Sequence, residues 1–372
     1  MRLIIIPAIH FLVLFLSVAG CTADQDLKSY AESLRTKNSI PGMAIAIVNA
    51  DSIVELHTLG YRHSQRPDPI EVDDHFHIGS VAKAMTAFVA AHLVEQGRID
   101  WSTSFIELFP DWKDEIDSAY WNVTLDALLS HRGKIQAFWT DAEFASIQIE
   151  PQSKSEQRLE FIRYAMNRPR AKTDSLGFLY SNAGYTIAAQ MLEKASGSTW
   201  EELMIKVFNE DLNLDIGFSW PNRQNENQPW GHWTEKRKLI PCPPDDDYDL
   251  DWIEPGGDVH ISMPNYCKYI QLHLKGLTGQ DNYLRAETFE TLQTDSRDSI
   301  YAYGWGNFAQ DGRSYSTHGG SAGTFLTNIL IDKSQLTAYV VMMNTDSPAA
   351  RELVQKLTDK MRQLQANPQP KG

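Results

Sequence analysis

The chain has little cysteine and too few basic residues to balance its acidic ones. Only 3 of the 372 residues are cysteine, and the formal net charge is −14. This charge argues against nucleic-acid binding, which needs a basic footprint on the protein, and against electrostatic docking on anionic lipid. The interior of the sequence also lacks an apolar run of the roughly 20 residues that span a bilayer. Hydrophobic residues still make up 42% of the chain, which allows a sizeable core.

The scarcity of cysteine limits the body of the chain to one possible disulfide. Cys242 and Cys267 could pair in an oxidising compartment. Cys267, however, lies in an apolar stretch of helical spacing, where a free cysteine is often simply buried. We therefore expect two free thiols. Neither is a predicted nucleophile, because the sequence places no basic side chain beside it.

The first 21 residues predict a lipoprotein signal peptide rather than a part of the fold. Arg2 gives a basic start, residues 3–18 are apolar, and Val18-Ala19-Gly20-Cys21 resembles a bacterial lipobox. Signals of that kind are cleaved before the cysteine, which receives the lipid. We expect a lipid on Cys21 to hold the protein to a membrane of the cell envelope, on the periplasmic side. An ordinary signal peptide and a short single-pass anchor are the alternatives.

The remaining chain predicts one domain over residues 22–366, followed by a disordered tail over residues 367–372. Residues 43–48 and 53–61 are β-rich and are joined by a turn signal, which indicates an antiparallel hairpin. Further β-rich runs lie near the end of the chain, before a final helix that starts at a proline. These runs are residues 302–308, 315–319, 324–331 and 337–344, and the helix covers residues 348–365.

We expect an α/β (α+β) fold in which the early hairpin and the late strands form one antiparallel sheet flanked by helices. This sheet lobe would cover about residues 26–85 and 300–366, and a mainly helical second lobe would cover about residues 86–299. Residues 221–257 are rich in Pro, Trp and Asp and show little periodicity. We expect them to form a loop beside the cleft between the lobes.

A candidate nucleophile lies at the start of a long apolar run of helical length. In His77-Ile78-Gly79-Ser80-Val81-Ala82-Lys83, a glycine turn precedes Ser80, and Lys83 follows one helical turn later on the same face. Unpaired amides at a helix start favour a developing anion beside Ser80. A serine hydroxyl needs a base to remove its proton, and a partly desolvated Lys83 can be neutral enough to serve. An exposed helix-cap serine with a solvated lysine is the alternative.

A second stretch supplies a candidate proton shuttle and a candidate binding group. Tyr180 offers a phenol that can act as base or shuttle if nearby Lys83 depresses its pKa. Asn182 offers an amide that can both donate and accept hydrogen bonds, and we expect it to bind substrate. The alternative for Tyr180 is a packed aromatic side chain at a helix start.

A third stretch, His318-Gly319-Gly320-Ser321, lies on a predicted strand. Its glycines let a ligand approach the backbone closely, and the amides of Ser321 and Ser80 are the predicted oxyanion hole. We expect His318, Gly319 and Gly320 to line the substrate site, with His318 bonding substrate or tuning the lysine and tyrosine. A glycine-rich strand bend with a surface histidine is the alternative.

No metal site is predicted. His75 and His77 form an H-x-H pair on a strand, but no acidic or histidine cluster follows at ligand spacing, so we expect structural histidines. The acidic run over residues 245–251 lacks the glycine and the terminal glutamate of a calcium loop, so we expect solvated charge. A metal-dependent hydrolase built on these residues is kept as an alternative.

In their order along the chain, these motifs resemble the β-lactamase and D,D-peptidase superfamily of penicillin-binding serine hydrolases, specifically its class C-like branch. The resemblance covers most of residues 26–346. It rests on residues 77–83, 124–131, 180–185, 255–257 and 318–320. It implies a β-lactamase/transpeptidase-like fold and acyl-enzyme chemistry without a cofactor. It also implies Ser80 as the nucleophile and Lys83 with Tyr180 as the proton-transfer network.

One departure from the superfamily bears on the substrate. Members that act on β-lactams often carry Lys-Thr-Gly where this chain has His318-Gly319-Gly320, and the lysine meets the substrate carboxylate. A hydrogen-bonded charge pair contributes about 1.5–3 kcal/mol, so its loss weakens carboxylate recognition. We therefore expect a serine hydrolase of a small-molecule or peptide substrate: an esterase, a D-amino-acid peptidase or a D,D-carboxypeptidase. A β-lactamase or penicillin-binding protein, and a non-catalytic envelope protein that binds a ligand, are the alternatives.

Overall fold

A computed structural model describes residues 26–366, except residues 145, 146, 151, 237, 295, 296, 298 and 299. The predicted lipobox with Cys21 and the predicted tail over residues 367–372 lie outside the described part. Within that part, no helix combines the length and the apolar character that crossing a membrane requires.

Helices make up most of the middle of the described chain and also flank both ends of it. The α-helices are α1 (Leu27–Lys37), α2 (Ala82–Glu95), α3 (Phe105–Leu108), α4 (Leu125–Leu129), α5 (Asp141–Phe144), α6 (Lys154–Met166), α7 (Asn182–Ser196), α8 (Trp200–Met204), α9 (Pro221–Gln224), α10 (Met263–Leu277), α11 (Ala286–Gln293) and α12 (Pro348–Ala366). Short 3-10 turns cover Gly79–Val81, Pro110–Asp114, Ser118–Tyr120 and Asp251–Gly256, and Ile205–Asp211 is π-helical.

The main sheet joins strands from the two ends of the chain. The strands are β1 (Gly42–Asn49), β2 (Ile53–Gly60), β3 (His75–His77), β4 (Ile216–Gly217), β5 (His232–Glu235), β6 (Lys238–Pro241), β7 (His260–Ser262), β8 (Gly306–Gln310), β9 (Arg313–Ser321), β10 (Leu326–Asp332) and β11 (Thr337–Met343). Six of them form an antiparallel sheet in the order β2-β1-β11-β10-β9-β8, with Met43 opposite Met343. The prediction that the early hairpin pairs with the late strands is confirmed.

Strand β1 shows why the sheet is covered on both faces. Its sequence is apolar almost throughout, and all of its residues except the last are buried. Because successive side chains point to opposite faces, Met43, Ile45 and Ile47 share a core with α1 and α12. The intervening alanines and Val48 share a larger core with α2 and α10. The predicted antiparallel sheet flanked by helices is therefore confirmed.

Helix α2 carries the start of the candidate site into the centre of the molecule. It is apolar on all sides, and its residues from Ala82 through Ala91 are all buried, as expected for a helix that is hydrophobic all round. It packs against α7, α8, α11 and the 3-10 turn Asp251–Gly256. The side chains at its first turn therefore lie where the sheet and the helical region meet.

Residues 221–257 are not the unstructured loop that their composition suggested. They contain α9, the β5-β6 hairpin and the 3-10 turn that ends at Gly256. The His232 amide donates to the Thr324 carbonyl oxygen at 3.0 Å, and the Trp220 indole donates to the Thr324 hydroxyl at 2.7 Å. The prediction was wrong because tertiary contacts of this kind order the segment, and they leave no periodicity in the sequence.

Both cysteines of the described residues, Cys242 and Cys267, are buried free thiols, as predicted. Burial raises the pKa of each thiol to about 12. Neither therefore forms a thiolate nucleophile at neutral pH.

Helix α12 provides a test of the smaller core. Leu357 is fully buried on its inner face, whereas Lys356 is exposed beside it. We expect Leu357→Ala to lower the free energy of unfolding by about 2–5 kcal/mol, because it removes buried methyl groups and leaves a cavity. Lys356→Ala loses only an exposed pair with Glu352 and should leave stability nearly unchanged. Urea denaturation measures both, and equal losses would contradict the packing described for α12.

Candidate active site

Ser80 lies in the 3-10 turn that leads directly into α2, and strand β9 runs very close to this turn. A Cβ on Gly79, whose φ is +52°, would lie 2.5 Å from the Ser321 amide nitrogen. A Cβ on Gly320 would lie 2.9 Å from the Ser80 nitrogen and 2.0 Å from the Ile78 carbonyl oxygen. The close neighbour that requires these glycines is thus the protein's own backbone. The contact brings the backbone around Ser321 close to the backbone around Ser80, and these two residues carry the amides of the predicted oxyanion hole.

The Lys83 side chain is fully buried and its amine makes three polar contacts. Nζ lies 3.3 Å from Ser80 Oγ, 2.8 Å from Asn182 Oδ1 and 2.6 Å from the Gly256 carbonyl oxygen. Asn182 donates from Nδ2 to the Phe138 carbonyl oxygen at 2.9 Å, which fixes its Oδ1 toward Lys83. The oxygens of Asn182 and Gly256 can only accept hydrogen bonds from the amine.

These contacts suit Lys83 to act as a base. Burial lowers the pKa of Lys83 well below its usual value, which favours the neutral amine. A neutral amine has two N–H bonds and one lone pair. Because the acceptors on Asn182 and Gly256 take both N–H bonds, the lone pair is left for the Ser80 hydroxyl. The ring centroids of Tyr180 and Tyr185 lie 4.8 and 5.3 Å from Nζ, and their faces would stabilise an ammonium formed there.

Tyr180 immediately precedes the segment that caps α7, and its phenol is close enough to the Ser80 side chain to influence its own pKa through it. Tyr180 can act as a base only if nearby Lys83 lowers the pKa of this phenol, and that condition is not met. Burial raises the pKa of Tyr180 above its usual value, and the nearby Ser80 hydroxyl offsets only part of the increase. Tyr180 therefore keeps a proton that it can donate, and the lysine is the better candidate for the base.

His318 is buried, and both of its ring nitrogens are engaged within the protein. Nδ1 lies 2.8 Å from the Gly319 carbonyl oxygen, which can only accept, so Nδ1 carries the proton. Nε2 then accepts from the Tyr301 hydroxyl at 3.1 Å. Burial, together with nearby Lys83, lowers the pKa of His318 to about 3. The imidazole is neutral, and in this arrangement it offers a substrate neither charge nor a free nitrogen.

The structure also assigns contacts to residues that the sequence left without a role. The Gly256 carbonyl is one of the two acceptors for Lys83, and its segment is anchored by a buried ion cluster. Arg158 of α6 is fully buried and donates to Glu193 at 2.7 Å, Glu201 at 2.8 Å and Glu254 at 3.3 Å. Glu254 lies two residues before Gly256, so the cluster fixes the turn that meets the amine. Only the Pro-Gly-Gly motif at 255–257 pointed to this segment.

The two histidines of the H-x-H pair have protein partners. His77 accepts from the Gly79 amide at 3.2 Å through Nδ1, so its Nε2 donates to Asp258 at 3.1 Å. His75 and His260 meet through their Nδ1 atoms at 2.8 Å. No group of His, Cys, Asp and Glu in the described ranges has an arrangement that could hold a metal ion. His77 thus supports the turn that carries the candidate nucleophile.

The pH dependence of the reaction tests the base. Because the pKa of Lys83 is lowered and the neutral form is the active one, kcat/KM should rise as the pH passes through that lowered pKa, well below the usual range of lysine. Lys83→Arg should lose at least about 100-fold in kcat/KM, because arginine does not give up its proton. Lys268→Arg, at an exposed position of α10, should keep the wild-type profile. A wild-type rate that falls with pH over this range would contradict the assignment.

The ion cluster at Arg158 gives a second test. Arg158→Ala leaves the buried Glu193 carboxylate without its cation and leaves Glu254 with Lys154 alone, and we expect the free energy of unfolding to fall by about 3–5 kcal/mol. Arg285→Ala removes an exposed arginine paired with Glu287 and should cost less than about 1 kcal/mol. Guanidinium denaturation compares the two. Similar small losses would show that the buried pairs do not stabilise the fold.

The sequence pattern of the family described as Beta-lactamase matches residues 27–360. Among curated relatives, "Unguisins hydrolase ungD'" of Aspergillus campestris is 27% identical over 211 residues, which cover 54% of this chain and 36% of that protein. The chain spans about a third to two thirds of the length of three of the curated relatives that it matches.

Two solved structures have the same fold. The octameric penicillin-binding protein homologue from Pyrococcus abyssi gives a TM-score of 0.71 at 21% identity, over 87% of this chain and 74% of that chain. The class C beta lactamase from Rhodobacter sphaeroides gives a TM-score of 0.69 at 16% identity, over 91% of this chain and 99% of that chain. At these identities the likeness concerns the fold.

Proposed function

The chain belongs to the beta-lactamase family, within a superfamily of serine hydrolases, and we propose that it hydrolyses an ester or an amide through an acyl-enzyme on Ser80. The observation that carries the proposal is the environment of Lys83. Its amine is buried, has obligate acceptors for both N–H bonds, and lies 3.3 Å from Ser80 Oγ. Burying an amine lowers the stability of the fold. A catalytic role explains why the amine is buried here, because a serine nucleophile needs a neutral base beside it.

The proposed reaction moves one proton at a time through named groups. Ser80 Oγ attacks the substrate carbonyl carbon while its proton passes to the Lys83 amine, and the oxyanion accepts hydrogen bonds from the Ser80 and Ser321 amides. Tyr180 donates its phenolic proton to the leaving oxygen or nitrogen, and the Lys83 ammonium restores that proton. Water then attacks the acyl-enzyme, gives up a proton along the same path, and releases the acid and the free hydroxyl.

We favour an ester or a small D-amino-acid amide over a β-lactam as the substrate. His318 occupies the position of the cation that meets a β-lactam carboxylate, and its imidazole is neutral. The nearby guanidinium of Arg351 is committed to Asp346, which in turn accepts from Ser321 Oγ. A substrate carboxylate beside Ser321 would therefore lie near the Asp346 carboxylate, and Arg351 is already paired with Asp346 and is not available to bind the substrate.

A class C-type β-lactamase or a penicillin-binding protein is the second candidate, supported by the likeness to the Rhodobacter enzyme. A non-catalytic protein that binds a ligand in the same site is the third candidate. The mutual contacts of Ser80, Lys83 and Tyr180 argue against this third candidate, because a receptor does not need a buried base.

The lipobox at Cys21 supports a lipid-anchored location in the cell envelope, which we propose on the sequence alone.

Active-site labelling separates the candidates. Wild-type protein, Ser80→Ala and Ser33→Ala are each treated with a fluorescent fluorophosphonate and with a fluorescent penicillin. We expect fluorophosphonate label that is lost in Ser80→Ala and kept in Ser33→Ala, which changes an exposed serine of α1. Additional label by the penicillin would favour the second candidate. If neither probe gives Ser80-dependent label, the proposed mechanism is wrong.

A further inference from the structure

His131 is hydrogen-bonded to the residues on both sides of Tyr180 and packs on the Tyr180 ring. We propose that His131 is a positioning residue that holds the Tyr180 phenol against Ser80, an inference that rests on the proposed function. His131 follows α4 and is buried, and nothing in the reaction path described above uses it.

Hydrogen bonds to His131 fix the backbone on both sides of Tyr180. The amide of Leu179, the residue before it, donates to the His131 carbonyl oxygen at 2.9 Å. The amide of Ser181, the residue after it, donates to His131 Nδ1 at 3.1 Å. One residue therefore sets the main-chain position from which the phenol reaches the nucleophile.

The imidazole also packs directly on the phenol ring. The ring centroids of His131 and Tyr180 are 4.3 Å apart. The imidazole is held in turn by Tyr301 at 4.7 Å and Tyr185 at 5.3 Å, and the Tyr185 hydroxyl donates to the Leu129 carbonyl oxygen of α4 at 2.9 Å. The phenol thus rests on a buried aromatic cluster that limits its movement.

The hydrogen bond from the Ser181 amide determines which nitrogen of the His131 imidazole carries the proton. Since the amide donates to Nδ1, this nitrogen is bare and Nε2 carries the proton. In the described residues Nε2 is buried without a hydrogen-bond partner. Burial, with smaller contributions from Lys83 and His318, lowers the pKa of His131 well below its usual value. The ring stays neutral, so its contribution is to hold Tyr180 and not to exchange protons with substrate.

The backbone of His131 suggests a matched pair of variants. Its φ is +60°, a left-handed conformation that asparagine and glycine adopt more readily than other residues. His131→Asn keeps this conformation and a short side-chain acceptor for the Ser181 amide, but it loses the ring. His131→Gly keeps the conformation and loses both. Because neither variant strains the backbone, the comparison separates the loss of the ring from the loss of the acceptor for the Ser181 amide.

Two esters with one acyl group and different leaving groups provide the test. A p-nitrophenyl ester expels a stable anion, whereas an ethyl ester needs the Tyr180 proton on its leaving oxygen. We expect His131→Gly to lose about 100-fold or more in kcat/KM on the ethyl ester and less than about 10-fold on the p-nitrophenyl ester. Tyr180→Phe should show the same selectivity, and His131→Asn a smaller loss. The double variant should be no worse than Tyr180→Phe alone.

Thermal unfolding and fluorophosphonate label first establish that each variant is folded, and His131→Asn carries the comparison if His131→Gly is not. Equal losses on the two esters, or an unchanged rate on the ethyl ester, would overturn the assignment of His131. Wild-type hydrolysis that disappears in Ser80→Ala tests the proposed function separately. Failure of that control removes both proposals, whereas equal losses with the control intact remove only this one.

Discussion

The amine of Lys83 is held out of water between two carbonyl oxygens, and the rest of the site depends on this arrangement. In water a lysine keeps its proton at neutral pH and cannot take another from a serine. Each unit by which its pKa falls corresponds to about 1.36 kcal/mol of lost preference for the charged form. The two acceptors, Asn182 Oδ1 and the Gly256 carbonyl, come from elements far apart in the chain. They direct the remaining lone pair at Ser80.

Holding those acceptors in place requires structure well beyond the reacting groups. The 3-10 turn that ends at Gly256 is fixed by Glu254, whose carboxylate belongs to the buried cluster around Arg158. The turn that carries Ser80 is pressed against β9 at two glycines, Gly79 and Gly320. A buried amine costs folding energy, so it persists only where surrounding packing is extensive. The mostly apolar, buried sequence of α2 supplies that packing directly behind Lys83.

Much of this could be predicted from the sequence where the signal is local or periodic. The β-rich composition of β1 and β2 and the turn residues between them predicted the hairpin, and helical spacing placed Ser80 beside Lys83. The role of Gly256 could not be predicted, because its contact with Lys83 is made by a backbone carbonyl, which every residue type has. The direction in which the pKa of Tyr180 shifts could not be predicted, because it depends on burial of the phenol in the folded protein. The contacts of His131 join segments that only the fold brings together.

The neutral imidazole at position 318 links the base to the choice of substrate. In the proposed reaction Lys83 is neutral before the serine attacks and positive after it takes the serine proton, so the site has to tolerate both states. The faces of Tyr180 and Tyr185 favour the ammonium, whereas any positive charge nearby would oppose it. Lys83 and His318 are close enough for the charge of one to lower the pKa of the other. A permanent cation at 318 would capture a substrate carboxylate but would raise the energy of the Lys83 ammonium. With His318 neutral, no charge at position 318 opposes the Lys83 ammonium. Substrates without a carboxylate do not need a cation there, so their binding is not weakened. Both conditions suit an esterase or amidase.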